Sequence, residues 1–181
     1  MSASPAPSDG GRPGGGAAVP ASSVRPAIAV AVVIERERAP NRFEDWRFRL
    51  VEVVPDEHAF GSEPRVLRDD GKRRRTLFPG FSVELYRDQA QGYFLNLQSG
   101  APVWFVVWRV DDEDPSRAWP ETVSVSYDEA GRWLDAQERV DNVPLAAEVA
   151  AWLQSYVDAT YRPEPKRRRR PQSFVDPAER R

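Results

Sequence analysis

The sequence predicts an α+β fold: a curved, mostly antiparallel sheet of about five to seven strands, followed by two C-terminal helices packed on one face. Three observations carry this. Apolar residues alternate with period two in short runs from Ile28 to Ser126. Beyond Ser126 they recur at helical spacing. The strand–helix–strand alternation of a doubly wound parallel sheet does not occur.

Residues 1–25 are dominated by Pro, Gly, Ser and Ala. Such a segment buries too little apolar surface to offset its ordering entropy, so it is expected to be disordered. A single domain is expected over 26–162, and a disordered basic tail over 163–181. Ile28, Val30, Val32 and Ile34 form one apolar face of a first strand. Pro40-Asn41 reads as a turn. In the second strand, Asp45 to Val54, Trp46, Phe48 and Leu50 share one face and Arg47 and Arg49 the other. Val51 and Val53 then break the alternation, which predicts a bulge near Leu50-Val51.

Asp69-Asp70-Gly71-Lys72 between two short runs is a hairpin signal. Pro79-Gly80 reads as a second turn, and Phe81, Val83 and Leu85 as the face of another strand. Arg87 to Gln98 fits helix or strand, with Gly92 weakening the helix. VWFVVWRV, Val103 to Val110, is apolar on both faces, as a central covered strand is. Asp111 to Pro120 reads as an acidic loop and Thr122 to Ser126 as the last strand. Ser126 and Glu129 have capping-box spacing, so a helix is expected to about Glu138 with Trp133 and Leu134 buried. Pro144 suits the first turn of a second helix, whose apolar stripe is Leu145, Val149, Trp152, Leu153, Tyr156 and Val157. Pro163 stops it.

The chain has no cysteine and one histidine. That removes disulfides, thiolate metal ligands and a cysteine nucleophile. His58 sits in a polar loop and has no partners for a zinc site or a serine-hydrolase triad. Asp111, Asp112, Glu113 and Asp114 lack calcium-loop spacing and read as a solvated connection. No phosphate-binding glycine loop follows a strand. No cofactor is expected, and no catalytic constellation stands out. Without a signal-peptide pattern or an apolar run of membrane length, the expectation is a soluble, cytoplasmic protein.

Charge is polarised. Arg162 to Arg181 hold eight Lys/Arg against three Asp/Glu, while the preceding residues hold 18 against 25. The candidate partner-binding residues are therefore Arg47 and Arg49 on the second strand and Lys166, Arg167, Arg168, Arg169 and Arg170 in the tail. Arg47 and Arg49 could join the hairpin GKRRR, Gly71 to Arg75, in one basic patch. The alternative is cross-strand pairing with Glu35, Glu37 or Glu84. Since Arg47 and Arg49 lie opposite the aromatics, the strand does not present the mixed face of a single-strand nucleic-acid binder. The tail alone would give weak, salt-sensitive binding.

NRFEDWRFRLVEVVP, LFPGFSVELYRDQAQGYFLNLQSG, VSVSYDEAGRWLDAQERVDNVP and YRPEPKRRRRPQSF together resemble the uncharacterised bacterial family catalogued as domain of unknown function 3305, from about Ile28 to Phe174. The resemblance implies a context, since such proteins are typically encoded beside molybdenum-dependent formate dehydrogenase genes. It brings no catalytic residues. Some members carry a molybdopterin-guanine dinucleotide biosynthesis label. That activity uses a doubly wound nucleotide domain and a glycine-rich N-terminal loop with Arg and Lys, and neither pattern is in this chain.

The resulting expectation is a non-enzymatic accessory protein for that dehydrogenase, in assembly, cofactor insertion or regulation. Its partner would be a dehydrogenase subunit or a maturation factor. The alternatives are an enzyme of molybdenum-cofactor nucleotide chemistry and a weak nucleic-acid binder acting through the tail.

Overall fold

The computed structural model describes residues 25–39, 45–57 and 59–163. The N-terminal segment up to residue 24, Pro40 to Glu44 with the expected Pro40-Asn41 turn, His58 and the tail from residue 164 lie outside the described residues.

Mixed α+β architecture is observed, with two antiparallel sheets in place of one curved sheet. The first comprises β1 (Ala27–Arg38), β2 (Trp46–Pro55), β3 (Arg65–Asp69) and β4 (Arg73–Glu84), in the order β2-β1-β4-β3. The second comprises β5 (Val103–Val110), β6 (Ala118–Ser124) and β7 (Val140–Pro144), in the order β6-β5-β7. Three helices join them: α1 (Ala90–Gln98), α2 (Tyr127–Asp135) and α3 (Ala147–Thr160).

β1 is central in the first sheet because it can be covered on both faces. Val30, Val32 and Ile34 enter the main core with Leu50 and Val53 of β2 and Val83 of β4. Against them pack Trp104, Val106 and Trp108 of β5 and Val149, Leu153 and Val157 of α3. The opposite face of β1 has a smaller core, where Ala31, Val33 and Leu77 are covered by Val51, Val54 and Phe60. The loop carrying Phe60 is held by the buried Asp56, whose carboxylate accepts the Ala59 N–H at 2.9 Å.

Both neighbours of β1 are bulged, and the bulges set which side chains face inward. The β1–β2 register passes from Val33↔Glu52 to Ile34↔Leu50, leaving Val51 as the extra residue. The bulge expected there is observed, and it returns Val53 to the face of Leu50. In β4 the register passes from Val30↔Phe81 to Val32↔Phe78. Pro79-Gly80 is thus not a turn between strands but a bulge within one strand, with Gly80 at φ +90°. The Asp69–Lys72 hairpin forms, with Gly71 at φ +79° and Asp70 accepting the N–H groups of Lys72 and Arg73.

Helix placement departs from the sequence reading at two points and decides a third that the sequence leaves open between helix and strand. The stretch Ala90–Gln98 is helical. The strands do not all precede the helices, because β7 lies between α2 and α3. Pro144 closes β7 opposite Val103, and α3 begins only at Ala147. β7 is short, with Val143 its one buried residue, so its alternation is weak. Finally, α2 ends at Asp135 and leaves Leu134 exposed, with Ala130 as its buried residue. β5 is covered as its composition predicts: Phe105, on the face away from the main core, meets Tyr127 edge-on.

α1 is tied to the second sheet through Asn96, which is 1% exposed. Its amide nitrogen donates to the carbonyls of Val103 and Val125, and its oxygen accepts the Val103 N–H. A buried amide with these bonds satisfies backbone groups at the start of β5 and the end of β6, as a further strand would. Gly92 explains how α1 comes so close. A Cβ there would lie 2.3 Å from Ser126 Oγ, the oxygen that caps α2 by accepting the Glu129 N–H.

Two helical glycines therefore predict opposite signs. Gly92→Ala should destabilise by about 2 kcal/mol, since overpacking and loss of the cap outweigh the gain in helix propensity. Gly131→Ala in α2, where a Cβ meets nothing within 4 Å, should stabilise by up to about 1 kcal/mol. Urea midpoints of the two variants check this.

Candidate functional site

Arginines crowd both faces of the first sheet at the end where its apolar rows stop. On the outer face the smaller core gives way to charge. β1 presents Glu35 and Glu37, flanked by Arg47 and Arg49 of β2 and by Arg73 and Arg75 of β4. Glu35 is only 4% exposed. It accepts from Arg49 Nη2 at 2.8 Å and from Arg75 Nε at 2.6 Å. Arg73 Nε donates to Glu37 at 3.2 Å. The hydrogen bond from Arg75, reinforced by Arg49, holds the Glu35 carboxyl below its ordinary value despite burial.

Both readings of Arg47 and Arg49 are realised in part. They share a face with Arg73 and Arg75, yet β1 intervenes and places glutamates between them. Arg49 pairs with Glu35, while Arg47 stands opposite Glu37 in register and is exposed. Glu84 belongs elsewhere, 3.5 Å from Arg25. The tail candidates Lys166, Arg167, Arg168, Arg169 and Arg170 lie outside the described residues, as does His58.

The inner face was not anticipated as a site. Alternation carries Arg36 to the same side as Ile34, and the register sets it directly opposite Arg74. These two line a cleft of about 640 Å³ between the first sheet and the loop leading into β6. Its walls include Phe48, Phe78, Phe81 and Trp119, with Arg117 and Asp114 also lining it. The Arg36 guanidinium is fixed, 4.2 Å over the Trp46 ring and donating through Nη1 to the Ser116 carbonyl at 2.9 Å. The Nε atoms of Arg36 and Arg74 are buried without a hydrogen-bond partner among the described residues. For a buried donor that costs about 1–3 kcal/mol each. Arg74 Nε lies 3.8 Å from the Asp69 carboxylate, a charge contact longer than a hydrogen bond. The signal that could have found this site is an arginine whose parity matches a buried apolar row.

The acidic run is structural. Asp111 accepts the N–H groups of Glu113 and Asp114, and Asp114 accepts that of Ser116. Those bonds from Ser116 hold the Asp114 carboxyl below its ordinary value, with Arg117 and Arg36 adding to the effect. A second groove, of about 460 Å³, is lined by Glu84, Asp88, Glu129 and Tyr93. Burial pushes the Tyr93 hydroxyl up to about 12. Among the described residues no helix is long and apolar enough to cross a membrane.

The family described as "Protein of unknown function (DUF3305)" matches residues 29–170. The chain belongs to this family. The match spans both sheets apart from the first two residues of β1, all three helices and the stretch from Pro163 to Arg170. No curated protein and no solved structure matches the chain. Both arginine faces fall within the matched span, so each is a feature of the DUF3305 domain and not of an appended segment.

Glu35 gives a pH prediction. Its carboxyl titrates lower in the folded chain than in the unfolded one. The stability it contributes is therefore present above the ordinary value of 4.5 and is lost as pH falls through the folded value. Glu35→Gln should lower stability at pH 7 by about 2 kcal/mol and flatten the acid limb. Urea midpoints between about pH 3 and 7 for both proteins read this out.

Proposed function

We propose that this DUF3305 protein is a non-enzymatic accessory factor of a molybdenum-dependent formate dehydrogenase, acting by docking on an acidic surface of a dehydrogenase subunit or maturation factor. The dehydrogenase enters through the genomic context that the family resemblance implies. The observation that carries docking is the outer face of the first sheet, where Arg47, Arg49, Arg73 and Arg75 flank Glu35 and Glu37, with Glu52 the next carboxylate on that face. Arg49 and Arg73 keep side-chain exposures of 63% and 60% while ion-paired, so their remaining donors face solvent. Arginine suits such contacts because its planar fork binds carboxylates in pairs.

Paired strands hold the backbone of this grid in place, and rim charges of this kind set on-rate and partner choice more than raw affinity. The tail Lys166 to Arg170 would add to the same field.

Tagged full-length protein should co-purify a dehydrogenase subunit or maturation factor. Arg47→Glu should weaken that capture about tenfold and reduce its salt dependence. Unchanged capture by Arg47→Glu would remove the outer face from the interaction. Normal formate oxidation in a deletion strain would count against the accessory role itself.

A further inference from the structure

The two faces of the first sheet handle arginine differently. On the outer face β1 places a glutamate between the arginines of β2 and β4, although Arg75 also meets Arg68 of β3 across its other edge. On the inner face Arg36 and Arg74 are direct cross-strand partners, and like charges set opposite each other repel. Asp69 of β3 stands opposite Arg74 and forms an ion pair with it at 3.8 Å, and Asp114 lies nearby, yet neither makes a hydrogen bond to the pair. We propose that the inner cleft binds a small organic phosphate carrying a planar group, a nucleoside monophosphate in chemical class. This site is separate from the outer face and does not depend on the docking reading.

Four features favour that class. Arg36, Arg74 and Arg117 line the cleft against the single carboxylate of Asp114, an excess of positive charge suited to a dianion. The arginines offer more N–H donors than a carboxylate's two oxygens can absorb, and phosphate supplies three acceptor oxygens. Phe48, Phe78, Phe81 and Trp119 give apolar, aromatic walls for a flat ring. The cavity, about 640 Å³, falls within the ordinary range for small-ligand sites. Arg36 is also pre-organised by Trp46 and by the Ser116 carbonyl, so it is not reordered on binding.

Its opposite number, the groove lined by Glu84, Asp88 and Glu129, repels the same ligand. The basic segment Lys166 to Arg170 is equally ill matched to the arginine cleft.

Isothermal titration of the full chain with AMP, GMP, adenosine and inorganic phosphate tests the proposal. At least one nucleotide should bind with a submillimolar Kd, and adenosine and phosphate should bind at least about tenfold more weakly. Arg36→Met and Arg74→Met should each cost at least about tenfold. Arg117→Met and Trp119→Ala change exposed rim residues and should leave the thermal melt unchanged while weakening binding about fivefold or more. Failure of both nucleotides to saturate at about 10 mM would overturn the proposal. So would binding unaltered by both rim variants, or phosphate binding as tightly as AMP.

Discussion

Side chains alternate along a strand, so a β1 that buries Val30, Val32 and Ile34 must send Arg36 to the same side. Much of the molecule follows from that constraint. β1 is 12 residues long and bonded along both edges, so it cannot rotate away a charge that falls on the inner face. A one-residue slip would exchange the main core for the Ala31–Val33–Glu35 row. The partners accommodate β1, not the reverse. Val51 bulges out of β2 and Pro79-Gly80 out of β4, so Leu50 and Val53, and likewise Phe78 and Phe81, point to the main core side. The core ends where Ile34 gives way to Arg36, and the cleft opens there.

The second sheet packs on the first through the main core, and a few specific contacts fix the elements around it. Trp108 of β5 meets Phe48 of β2 at a centroid distance of 6.0 Å and donates its indole N–H to Asp141 just before β7's buried Val143. Asn96 joins α1 to both β5 and the segment after β6. Ser126 serves three purposes at once: it caps α2, hydrogen-bonds Gln89 and sits against Gly92. A polar cluster this deep is tolerable because its members satisfy one another. Such clusters fix one arrangement of α1 against α2, where an apolar contact would allow sliding.

The legible parts of the fold were those with strong periodicity or named turn chemistry. β1, β5, the α3 stripe, the Asp-Gly hairpin and the Ser126 cap announce themselves. β7 was hidden because five residues with one buried valine give almost no pattern, and because Pro144 fits the last position of a strand as well as the first turn of a helix. α1 was hidden because Gly92 counts against a helix by propensity, while its reason is a contact with Ser126 more than thirty positions away. Within the site, Arg47 and Arg49 were found by parity on β2, but their glutamate partners depend on strand order. Arg36 carried the same parity signal, and only the pairing with Arg74 gives it meaning.

Pairing in register, more than exposure, separates the two arginine faces, since inner Arg74 keeps a side-chain exposure of 43% and outer Arg75 one of 38%. The outer arginines stand in water, where screening over about 8 Å makes their field a short-range guide for an incoming surface. There the intervening glutamates cost little, since exposed pairs retain donors for a partner. The inner pair sits beside Phe48, Phe78 and Phe81, where a charge interaction is stronger and an unmet donor is costlier. The inner pair stays net cationic, since Asp69 offsets only Arg74, across a 3.8 Å ion pair. Leaving it cationic keeps the cleft selective for an anion small enough to enter between the sheets. One sheet thereby offers two kinds of recognition, a broad surface on one side and an open cleft on the other, separated by the thickness of β1.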